Sequence, residues 1–109
     1  MIMPTMKWHD YLVNRLRQHP EEIPGYLNTA IEADDGTFLV ALKTVIEARY
    51  GGATSLSRKV GLHRVSIQKM LSAGGNPRFA SLDKILSELG LRLSIVERSK
   101  TKRPRSKAG

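Results

Sequence analysis

The sequence predicts an all-α fold of five to six short helices with one short β-strand at the C-terminal end. Three observations carry this. Apolar residues recur at i, i+3, i+4 spacing in several short runs, Gly or Pro stands at nearly every break between runs, and only "LRLSIVE", residues 91–97, alternates with period two. A chain of 109 residues suits one domain with a modest core.

Taken in order, residues 1–9 are expected to be a flexible N-terminus, 10–97 a single folded domain and 98–109 a disordered basic tail. Asp10 is placed to cap a first helix carrying Tyr11, Leu12 and Leu16, which ends before Pro20. Pro20, Glu21 and Glu22 suit the start of a second, where a missing N–H costs nothing and acids face the positive helix end. Ile23, Tyr26, Leu27, Ala30 and Ile31 give it one apolar face. Asp34, Asp35 and Gly36 break the chain. A strong third helix follows through Phe38, Leu39, Leu42, Val45, Ile46 and Ala48, stopped by Gly51 and Gly52. Two short helices come next, one from Thr54 or Ser55 to Val60 and one from His63 to Leu71. A Gly74–Pro77 loop leads to a sixth helix capped by Ser81 and stopped by Gly90. A lone strand at 91–97 needs a partner, from a second copy or at an edge.

Charge narrows the function classes. The formal net charge is +8, and it is segregated. Residues 21–47 hold six acids and one base, residues 49–78 hold six bases and no acid, and residues 98–109 hold six bases and no acid. The acidic part suits either a basic partner protein or an ordinary solvated face. The tail adds electrostatic grip on nucleic acid or is a tolerated extension. Cys is absent, which excludes disulfide scaffolds and thiolate zinc sites and fits a reducing cytoplasm. No apolar run is long enough for a membrane span. His9, His19 and His63 lack zinc-motif spacing, and no nucleophile triad, phosphate loop or carboxylate pair stands out. The reading is a binder with no catalytic residues, no metal, no cofactor and no small-molecule substrate.

The basic stretch "SLSRKVGLHRVSIQKML" has the form of a helix-turn-helix. Gly61 supplies the positive φ that the tight turn requires. Ser57 is small enough to let two helices approach, and Val60, Leu62 and Ile67 set their crossing from inside. The second helix then offers its other face to solvent. The major groove of B-DNA admits one helix, where Arg grips guanine, Gln grips adenine and Val touches a thymine methyl.

Together with "NPRFASLDKILSELGL", that stretch resembles the lambda-repressor-like helix-turn-helix domains. Over residues 10–96 the chain is similar to the addiction-module antidote proteins, the HigA-like type II antitoxins, with the "GNPRF" loop as the most specific element. The resemblance implies a homodimer that binds double-stranded operator DNA, represses its own operon and neutralises a cognate RelE-like ribonuclease toxin. By position it implies base readout by Arg64, Val65, Ser66, Gln68 and Lys69. It implies phosphate contacts from Thr54, Ser55, Arg58, His63, Asn76 and Arg78. His63 stands where relatives often carry Ser or Thr, so a weaker cap is expected. The alternative is a stand-alone helix-turn-helix regulator without a toxin.

Overall fold

The computed structural model describes residues 8–33, 36–72 and 75–97. Six α-helices and one 3₁₀ turn occupy them: α1 (Trp8–Gln18), the turn Pro20–Glu22, α2 (Ile23–Ala33), α3 (Thr37–Tyr50), α4 (Ala53–Val60), α5 (Arg64–Met70) and α6 (Phe79–Glu88). The all-α class stands. The segments 1–7 and 98–109, which hold most of the expected flexible N-terminus and all of the basic tail, lie outside the described residues, as do Asp34 and Asp35.

α3 is the central element. α1 and α2 pack on it from one flank and α4 from the other, while α4 also packs against α5 and α6. The sequence of α3, TFLVALKTVIEARY, has few polar positions, so it is buried nearly all round: Ala41, Leu42, Val45, Ile46 and Ala48 are core. Its one buried polar side chain, Thr44, satisfies its hydroxyl on the carbonyl of Val40 at 3.1 Å. Val13 and Leu16, Ile23 and Leu27, Leu56, Ile67, and Ile85 and Leu86 join the core from the other five helices, with Leu71 just past α5. Each such aliphatic side chain contributes about 1.5–3 kcal/mol on burial.

Beside one-residue shifts at the ends of α4 and α5, four larger differences from expectation have a structural reason. α1 includes Trp8 and His9, so Asp10 lies in its first turn and does not cap it. Trp8 stacks on Tyr11 with centroids 5.4 Å apart, and His9 Nε2 meets Glu47 Oε1 at 2.7 Å on α3, tying this end down. The second helix is split into the 3₁₀ turn at Pro20 and an α-helix from Ile23, with Pro24 in a first turn that needs no donor. α6 begins at Phe79 behind Arg78, because Leu82 N–H bonds the Arg78 carbonyl at 3.0 Å and closes the first turn ahead of the expected cap Ser81.

The fourth difference is the strand. Among the described residues there is no strand, and 91–97 runs irregularly. A ladder requires a second extended segment, and these residues supply none. The segment is held at its start only, where Leu91 N–H bonds the Leu86 carbonyl at 2.8 Å, with Leu91 and Leu93 half-buried against the core.

Candidate nucleic-acid interface

α4 and α5 form the bend the sequence predicts. α4 stops at Gly61, whose φ of 74° places it in the left-handed region and whose N–H closes on the Ser57 carbonyl at 3.0 Å. Two residues later the backbone turns extended at His63 and α5 begins. Leu56 and Ile67 are fully buried where the two helices meet, with Val60, Leu62 and Met70 half-buried around them. The angle between the helices is therefore set by an aliphatic contact that solvent does not reach. Ser57 turns its hydroxyl back onto the Thr54 carbonyl at 2.7 Å, which keeps that small side chain out of the crossing.

The start of α5 is capped by a ring. His63 Nδ1 accepts a hydrogen bond from Val65 N–H at 3.3 Å. The neutral imidazole, protonated on Nε2, is the form that makes this bond. The weaker cap expected from a missing Ser or Thr is thus offset by the histidine itself.

With Ile67 and Leu71 turned inward, α5 exposes Arg64, Val65, Ser66, Gln68 and Lys69, all five of the base readers inferred from position. Val65 is 42% exposed, an aliphatic group that burial has not claimed. The inferred phosphate ligands are more dispersed. Thr54, Arg58, His63, Asn76 and Arg78 are exposed, and Ser55 is half-buried. Among the described residues no acid pairs with Arg58, Lys59, Arg64, Lys69 or Arg78. The ion pairs His9–Glu47, Arg15–Glu22 and His19–Glu21 each involve α1 or the 3₁₀ turn.

The loop after α5 is fixed by close approach. Gly75 N–H bonds the Ser72 carbonyl at 2.8 Å, and a Cβ on Gly75 would overlap the carbonyl oxygen of Met70. Only glycine lets the chain pass under the end of α5 and present Asn76 and Arg78 beside it. Phe79, the first residue of α6, is 68% exposed next to Arg78. Phe79 lies ahead of Ser81, where the sequence predicts this helix to start.

On the far flank, ligand atoms of His19, Glu21 and Glu22 lie within 4.8 Å of one another. Glu22 is committed elsewhere: Arg15 grips both of its oxygens, Nε to Oε1 at 3.0 Å and Nη2 to Oε2 at 2.7 Å. That fork holds the Glu22 carboxyl below the ordinary range. No helix among the described residues is long and apolar enough to cross a membrane.

No solved structure matches the chain. An uncharacterised protein of Haemophilus influenzae strain Rd is 34% identical over 94 residues, which cover 85% of this chain and 95% of that protein. Residues 7–97 match the family model of the probable addiction module antidote proteins. That span takes in every described helix and the 91–97 segment, and the chain belongs to the probable addiction module antidote family.

Proposed function

We propose that the protein is a DNA-binding antitoxin which represses its own operon and neutralises a RelE-like ribonuclease toxin. Membership of an antidote family supports the antitoxin role and implies a toxin partner. The DNA half rests chiefly on one observation: α5 turns five side chains able to read bases toward solvent, amid cations that no acid neutralises. Arg64, Gln68 and Lys69 read base edges by hydrogen bonds, Val65 takes a thymine methyl and Ser66 meets a base or phosphate. Thr54, Ser55, Arg58, His63, Asn76 and Arg78 hold the backbone and set the register.

A seven-residue helix spans only about 10 Å, enough for a few base pairs. Specific binding therefore takes a homodimer, with its two α5 helices about 34 Å apart on a palindrome. The setting is the cytoplasm, where operon and toxin are reached together.

The test is a growth assay with the reading frame adjacent to this one. That frame is induced alone and then with this protein. Arrest relieved by this protein is the expected result. An expressed neighbour that causes no arrest sinks that pairing and leaves a stand-alone regulator. Operator binding is measured separately, and its failure overturns the DNA half alone.

A further inference from the structure

Residues 91–97 carry an uncovered apolar side chain next to an unfilled cavity of mixed lining. Burial alternates along their start: Leu91 and Leu93 are half-buried, while Arg92 and Ser94 are exposed. The alternation assigns Ile95 to the side of Leu91 and Leu93. The helical body ends there, and Ile95 is 100% exposed, with Val96 at 79%. Beside the segment lies a cavity of about 90 Å³, with Leu27, Ile31, Phe38, Leu91 and Leu93 as apolar walls and Asn28 and Arg92 at its polar side. Ile31 at this site is 43% exposed. Past Leu91 the backbone of the segment makes no ladder bond to another described residue.

We infer that residues 91–97 of two copies pair as antiparallel strands about a two-fold axis at Ser94, each placing Ile95 at the mouth of the other's cavity. This deepens the homodimer reading above and rests on it. The segment is self-complementary. Pairing centred on Ser94 is the one register that gives all seven residues a partner among the same seven. It sets Leu93, which lines the cavity, opposite Ile95 of the second copy, and this happens twice by symmetry. Arg92 falls opposite Val96, whose apolar surface its methylene stem covers. No like charges face each other, and Arg92 and Glu97 leave the segment neutral. Centring one residue later on Ile95 sets Arg92 against Arg98, a like-charge pair that disfavours it. Residues directly opposite share a face, so the Ser94 register keeps both helical bodies on one side of the ribbon.

The chain has no Cys, so cross-linking gives a clean test on the full-length protein. Opposed residues in an antiparallel pair stand about 4.5–5.5 Å apart at Cα, within disulfide reach. Ser94→Cys therefore forms a disulfide dimer under mild oxidation without DNA. Val96→Cys does not, because its two copies are four positions out of register, about 13 Å. Ile95→Asp, at a fully exposed position, keeps the helical circular dichroism and weakens self-association by at least about 100-fold in sedimentation. Equal cross-linking of the two Cys variants, no cross-linking of Ser94→Cys, or an unweakened Ile95→Asp dimer overturns the inference. In each case a wild-type dimer that still binds operator leaves the homodimer reading standing, and a wild-type chain that stays monomeric on operator removes both.

Discussion

The imidazole of His63 accepts the amide proton of Val65 across 3.3 Å, and this bond fixes the first turn of α5. Replacing His63 with Ala leaves that amide to water and is expected to cost about 1 kcal/mol in urea unfolding. His63→Ser supplies another acceptor at the same place and should recover most of the loss. A Ser variant as unstable as the Ala variant would show that the ring acts by packing and not as a cap.

Arg64 and Arg58 are both exposed and free of acids, yet they sit at different places on the bend. Arg64→Ala should cost about 1–3 kcal/mol on operator and relax preference at one base position. Arg58→Ala should weaken all sequences alike and lower the slope of log affinity against log salt by about 1. Titrations on operator and on a scrambled duplex at several salt concentrations separate the two. Identical behaviour of the two variants would refute the docking.

Gly75 passes so near the end of α5 that any side chain meets the Met70 backbone. Gly75→Ala must shift the loop or the last turn of α5. Lower thermal stability is expected, together with weaker operator binding, because Asn76 and Arg78 ride on that loop. Unchanged melting and binding would mean the loop has slack that the fold does not display.

Tyr50 reaches from α3 to the far end of α6 and donates its hydroxyl proton to the Glu88 carbonyl at 3.2 Å. Partial burial raises the phenol above its ordinary value, with the Glu88 charge adding to the effect. A raised folded value favours the protonated form. The contribution is thus complete below about pH 10, the unfolded value, and is lost as pH climbs through the folded one. Tyr50→Phe should cost about 0.5–1.5 kcal/mol at neutral pH. The gap to wild type should close in alkali. A gap that stays constant to high pH would contradict this.

The Arg15–Glu22 fork fastens α1 to the 3₁₀ turn, and the hydrogen bond from Arg15 is the main cause of the lowered Glu22 value. A lowered carboxyl contributes above its unfolded value, about 4.3, and loses that contribution as pH falls through its folded value. Glu22→Gln should therefore be less stable than wild type at neutral pH and equal to it in strong acid. The effect is small because the pair is exposed. A difference that persists in acid would assign it to packing.

Much of this was legible in the sequence because short-range rules wrote it. Apart from Ile31, which is 43% exposed, the core faces of α2 through α6, the stop at Gly61 and the five exposed residues of α5 follow from 3.6-residue spacing and glycine chemistry. The parts that were not legible depend on contacts across the chain. His9 with Glu47 and Tyr50 with Glu88 are each 38 residues apart, and no local pattern encodes them. Ser81 looked like a cap because its residue type favours one, but a backbone bond had closed the turn already. The 91–97 pattern predicts a strand, and no extended neighbour stands beside it among the described residues.

α3 gives its side chains to both flanks of the molecule, so neither flank keeps a core without it. A protease that severs this one helix removes the support of α1 and α2 and that of the basic α4–α5 bend in a single event. Neither outlives the other, and one lifetime governs both.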